Sequence, residues 1–125
     1  MTTHVLVTEA GVRLAVVACA LRNSGSGWAV ISDTGHEPSG LTGPYVVQNA
    51  DHLELQHAVG ATRVVSMIVA PDETFAQVGL RVGASAGKGL SRIYLYSGAD
   101  GSAPLDPATV SAPTGNLWVH GLLRL

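Results

Sequence analysis

The stretch DHLELQH, residues 51–57, packs two histidines, two acids and a glutamine into seven positions, the side-chain types that hold divalent metals or relay protons. Alternate side chains of an extended chain point to opposite sides, so His52, Glu54 and Gln56 share one face and Asp51 and His57 the other. Four ligands cannot close around one ion without a bulge, and the favoured reading is an ordinary polar strand face with no metal. Ser32, Asp33 and His36 hold the residue types of a nucleophilic triad, but such short loop spacing seldom builds one, and no Gly-x-Ser-x-Gly elbow occurs. Glu37, Asp51, Glu54, Asp72 and Glu73 are the acids from which a glycosidase pair could be drawn, yet nothing in their spacing sets two at a working separation. His4, His36 and His120 are scattered. The expectation is a protein without catalytic residues, cofactor or metal, and not an enzyme.

PDETFAQVGLRVGASAG (71–87) is the other candidate for chemistry, because its glycines at 79, 83 and 87 suggest a phosphate-binding loop. Such a loop needs its glycines before a helix, followed by Lys and Ser or Thr. Here the order is reversed. With Pro71 at the first helical position, Asp72 and Glu73 fall in the first turn, where carboxylates meet free amides. Phe75 and Val78 would share one face of that turn, with Phe75 anchoring it to a core. Gly79 would stop it in the left-handed conformation, and Gly83 would allow a bulge or close approach in the strand that follows. The motif reads as a strand–turn–strand corner, with no nucleotide bound.

The remaining signals come from composition and periodicity. At 125 residues the chain is expected to form one domain, 1–125. Charged residues make up only 13%, against about 25% in ordinary soluble domains, which favours a subunit that packs against others. A net charge of −2 and one lysine argue against nucleic acid, and the longest apolar run, VRLAVVACAL, is too short to span a bilayer. No secretory signal pattern opens the chain, so a soluble protein made in the cytoplasm is expected. Cys19 is alone and lies in that run, where an inert buried thiol is expected.

Valine, threonine, isoleucine and leucine fill the periodic segments, and glycine, serine, proline, asparagine and aspartate separate them, as in an all-β chain. Strands are expected at 4–8, 12–22, 28–32, 45–49, 51–59, 62–70, 80–87, 91–97 and 116–125. Both faces of 12–22 are mostly apolar, so this strand should be central and covered on each side, by the opposite sheet or by another subunit. NSGSG (23–27) reads as a flexible turn, and 33–44 and 97–115 as long loops that display the outer surface. In SRIYLYS, Arg92, Tyr94 and Tyr96 alternate with Ile93 and Leu95. They form the best candidate patch, either a stacking surface for glycans or, as favoured, a sheet or subunit contact.

The run VVSMIVAPDETFAQVGLRVGASAG, taken with WAVISDTGHEPSG before it and GNLWVHG after it, resembles a β-rich domain of bacteriophage minor tail and tail-fibre proteins. The likeness extends from about Trp28 to Gly121, and the order of the pieces carries it. With the periodic segments and the Pro71–Gly79 spacing, the fold expected is a single antiparallel β-sandwich, jelly-roll-like, with one short helical turn near 71–79; the resemblance likewise implies a β-sandwich. It also implies a virion structural component made in the host cytoplasm, placed in the tail and acting by packing of copies, a trimer favoured, with other virion proteins and a host-surface glycan as further partners. A capsid decoration protein and a carbohydrate-binding module for cell-wall glycans are the alternatives. Neither nucleic acid nor membrane insertion is expected.

Overall fold

The computed structural model describes residues 4–31, 38–57, 63–86, 90–98, 103–112 and 114–125. The strands are β1 (His4–Val7), β2 (Arg13–Asn23), β3 (Trp28–Ile31), β4 (Leu41–Gln48), β5 (Leu53–His57), β6 (Arg63–Pro71), β7 (Arg81–Ala86), β8 (Leu90–Tyr96) and β9 (Leu117–Arg124), with one helical turn, α1 (Glu73–Gln77), between β6 and β7. They form two antiparallel sheets. In the first, the path runs β1-β2-β9-β6 with β3 also on β2; in the second it runs β4-β5-β8-β7. The chain crosses between sheets after β3, β5, β6 and β8, so the pairs β2·β9 and β5·β8 lie in opposite layers, a jelly-roll-like sandwich as expected.

Alternation decides what lies between the layers. Ala15, Val17, Cys19 and Leu21 of β2 point inward with Leu117, Val119 and Leu123 of β9, and meet Leu53 and Leu55 of β5 and Ile93 and Leu95 of β8. All eleven of these side chains are fully buried. β2 is central, because β9 pairs with one edge from Leu14 to Leu21. The other edge is covered in pieces: by β1 at Arg13–Val16, by a bridge from Ser39 to Ala18, and by β3 at Ala20–Asn23. On its outward face Leu14, Val16 and Ala18 are partly buried and Ala20 fully so. The closing strand β9 is equally central, flanked by β2 and β6.

The corner at 71–80 is architecture, in a slightly different frame from the one the sequence suggests. Pro71 still belongs to β6, paired with Leu117, and Asp72 is the N-cap. One Asp72 carboxylate oxygen accepts from the Phe75 amide at 3.3 Å and the other from the Asn116 amide at 2.7 Å, so a single side chain both starts the helix and fastens it to the entry of β9. Phe75 is buried and stacks on Trp28 with ring centroids 6.1 Å apart. Val78 does not share that burial and stands 77% exposed. Gly79 takes φ +77°, as a left-handed stop requires, and Leu80 re-enters the core. Gly83 makes no bulge; β7 runs in unbroken register with β8, and the Tyr96 ring lies across the bare Cα.

Other expectations shift for local reasons. A β-bulge between Val64 and Ser66 breaks the simple alternation of β6, so Val64, Met67 and Val69 pack inward while Ser66, Ile68 and Ala70 face out. NSGSG is held by its first residue: the side-chain oxygen Oδ1 of buried Asn23 accepts from the amides of Gly25 and Gly27, and its side-chain Nδ2 donates to the Val110 carbonyl. β4 begins at Leu41, inside the expected loop. The described part of the loop 97–115 does not stand free either, since it contains a 3₁₀ turn, Pro107–Thr109, whose Pro107 carbonyl accepts from the Trp28 indole at 2.8 Å.

Candidate functional site

The outward face of the second sheet brings the predicted patch together. Arg92, Tyr94 and Tyr96 of β8 alternate with the buried Ser91, Ile93 and Leu95, and antiparallel register sets Glu54 opposite Arg92 on one side and Ser85, Gly83 and Arg81 opposite Arg92, Tyr94 and Tyr96 on the other. His52 lies just before β5 and caps the patch. Its Nδ1 is 2.5 Å from an Asp51 carboxylate oxygen and its Nε2 3.1 Å from Glu54 Oε1, while Glu54 is 3.7 Å from the Arg92 guanidinium. The result is a line of alternating charge, Asp51, His52, Glu54, Arg92. Only the doubly protonated ring can donate at both nitrogens. Partial burial alone would lower the His52 pKa, but the hydrogen bonds to Glu54 and Asp51 and their charges outweigh it and raise the pKa above its ordinary value.

This arrangement has little left over for catalysis. A general base needs a free imidazole nitrogen, and both nitrogens of His52 are engaged. The tyrosines are engaged as well: Tyr94 sits 5.6 Å from the His52 ring, and the Arg81 guanidinium lies 5.9 Å above the Tyr96 ring. Each ring therefore already contacts a neighbouring side chain, Tyr94 with His52 at a tilt and Tyr96 with Arg81 over its face. The charge line itself was missed by strand alternation, which sets Asp51 on the face away from His52. Asp51 precedes the strand, at the turn where the Asn49 amide donates to the His52 carbonyl, and so escapes the alternation.

His57 follows the prediction in facing away from His52. It is buried, with Nε2 2.7 Å from the hydroxyl of Ser91. Burial lowers its pKa, and the nearby Gly40 main chain opposes that shift without reversing it, so the ring is neutral in the core. Among the described residues no three His, Cys, Asp or Glu side chains are grouped to hold a metal. Asp72 is used as a helix cap, Cys19 is buried with its thiol pushed up to about 12, and His4 and His120 lie on different strands of the first sheet. Ser32, Asp33, His36 and Glu37 lie outside the described residues.

The outward face of the first sheet is of a different kind. Register places Leu6, Val16, Ile31, Ile68, Trp118 and Leu122 on it, and Leu6 and Ile68 are 52% and 66% exposed. Among the described side chains, the charged or titratable residues at its outward strand positions are His4, Arg22, His120 and Arg124, with no acid sharing this face. No described helix is long and apolar enough to cross a membrane. Comparison with protein-family models, with curated proteins and with solved structures yields no match.

Proposed function

We propose that the protein is a non-enzymatic structural subunit that works by packing against further copies of itself and, following its resemblance to bacteriophage minor tail and tail-fibre domains, that it is a virion component of the tail. The observation that carries the reading is the apolar part of the outward face of the first sheet, where Leu6 and Ile68 stand 52% and 66% exposed. Apolar faces of this kind in a soluble chain mark places where another protein sits. The second sheet does not compete for the role, because its polar side chains already satisfy one another. Copies packed around the first sheet form a closed oligomer, with the trimer implied by the resemblance as the expected state.

Light scattering on the eluting protein tests the packing. A mass of about three chains of 12.8 kDa is expected, falling to one chain for the Leu6→Asp, Ile68→Asp double variant, while a single-chain mass for the unaltered protein removes the proposal. Antibody labelling of phage particles tests the placement. Label at the tail tip or fibre supports it, label on the head makes the chain a decoration protein, and no label takes it out of the virion.

A further inference from the structure

We propose that the cavity between α1 and the loop ahead of β9 is a binding site for a small uncharged alcohol or phenol, about one ring in size. The proposal goes beyond the structural role inferred above and does not depend on how copies pack.

The cavity holds about 300 Å³. A closed apolar cavity of about 150 Å³ takes up one benzene ring, so this open one has room for a ring carrying a substituent toward solvent. Its interior is apolar, formed by the buried Phe75 and Leu80 with the partly buried Leu105 and Val110. Its mouth carries hydroxyls: Thr74, Thr109 and Ser111 are exposed there, beside the exposed Val78. Apolar walls with a few polar groups at fixed positions are the lining of small-molecule sites.

The charge of the ligand follows from what the lining lacks. No charged side chain belongs to it, and the acids adjoining it in sequence serve the local main chain or a neighbour on the helix. Asp72 accepts from the Phe75 and Asn116 amides, Glu73 from the Gln77 side chain at 3.2 Å, and Asp106 from the Ala108 amide at 3.0 Å. A charged ligand would lose its water there and gain no counter-charge, whereas a neutral ring loses little. The Thr109 hydroxyl donates to the Asp106 carbonyl at 2.7 Å, which leaves its lone pairs to accept from an O–H of the ligand.

The walls are set before a ligand arrives. On the loop side the Leu105 amide donates to the Leu95 carbonyl at 2.7 Å, Pro107 holds the Trp28 indole, and Asn23 ties down both Val110 and Ala112 at 3.0 Å. On the other side Phe75 is stacked on Trp28, and Gly98 lies so close to the end of α1 that a Cβ on it would collide with the Gly79 carbonyl oxygen. The two walls cannot close on one another without giving up these contacts, so the apolar interior stays open for a ligand to cover.

Nuclear magnetic resonance titration of the isotopically labelled full chain tests this with phenol. Saturable shifts with a Kd on the order of 1 mM are expected, centred on the amides of 74–80 and 105–112. Benzoate, the same ring with a charge, should bind about tenfold or more weaker. Val78→Glu, at an exposed position of the mouth, should weaken phenol about fivefold or more. Thr109→Val should weaken phenol about threefold or more and leave fluorobenzene, which has no O–H, unchanged. Shifts that do not saturate or that centre on the first sheet, benzoate binding as well as phenol, or Val78→Glu binding like the parent overturns the proposal. Thr109→Val acting alike on both probes removes the hydroxyl contact and with it the proposed ligand class. The shifts are read residue by residue in one copy or several, so this proposal and the packing of copies fail separately.

Discussion

Replacing Phe75 with alanine tests whether the corner at 71–80 is held by its aromatic anchor. The ring is 3% exposed, stacks on Trp28, and crowds Gly115 so closely that a Cβ there would lie 2.8 Å from ring atom Cε2. A buried phenylalanine removes about 150 Å² or more from water. At about 25 cal/mol per Å² that is about 4 kcal/mol, inside the range of about 3–5 found for Phe→Ala in cores. The adjoining cavity opens to solvent, so water can enter the space left behind and the lower end, about 3 kcal/mol, is expected. Urea unfolding at fixed protein concentration reads this directly, since with a slope of about 1.5 kcal/mol per M the midpoint falls by about 2 M. Val78→Ala, on the same turn but 77% exposed, should stay within about 0.5 kcal/mol of the parent. A loss below about 1 kcal/mol for Phe75→Ala, or equal losses for the two, would refute the anchored corner.

Two further perturbations follow from named contacts. His52 and His57 shift in opposite directions and should give a stability maximum near the ordinary histidine value of 6.5. The raised His52 contributes stability that is complete below 6.5 and is lost as pH rises through its folded value; the lowered His57 destabilises the fold as pH falls from 6.5 toward its folded value, because the unfolded chain takes the proton first. Thermal unfolding across pH should show His52→Gln flattening the alkaline limb and His57→Gln the acid limb; unchanged limbs would contradict the assignment. Gly40→Ala should cost about 2 kcal/mol or more, because the new Cβ meets the Val16 carbonyl oxygen at 2.6 Å in a backbone with φ +75°. Gly11→Ala, with φ +81° but open space around it, should cost only the conformational part, about 1–2 kcal/mol, and equal costs would show that the close approach is not what selects Gly40.

What the sequence reveals and what it hides divide along a physical line. The strands of 13–23 and 90–96 were legible because a period-two pattern is sampled over enough residues to fix which side is buried. Strict alternation would set Val64 on one face with Ser66 and Ile68, but the bulge reverses the face of what precedes it and leaves no mark in residue type. Phe75, the only phenylalanine in the chain, was a readable anchor. Val78 was not, because a five-residue helix makes too little of a face for spacing to decide its partner. The patch of Arg92, Tyr94 and Tyr96 was visible in one strand, whereas its pairing with Glu54 and Arg81 depends on strands 38 and 15 residues away, a matter of register rather than of local pattern.

The two outward faces explain why contact through the first sheet is the better proposal. On the second sheet the line Asp51, His52, Glu54, Arg92 alternates in sign, and Tyr94 and Tyr96 already contact His52 and Arg81. A partner laid over it would strip water from charges that are already paired and gain little in return. On the first sheet the reverse holds. Each square ångström of Leu6 or Ile68 that a neighbour covers yields about 25 cal/mol. Under the proposed packing, a partner would therefore cover the uncovered apolar surface of the first sheet and leave the self-satisfied second sheet turned to solvent.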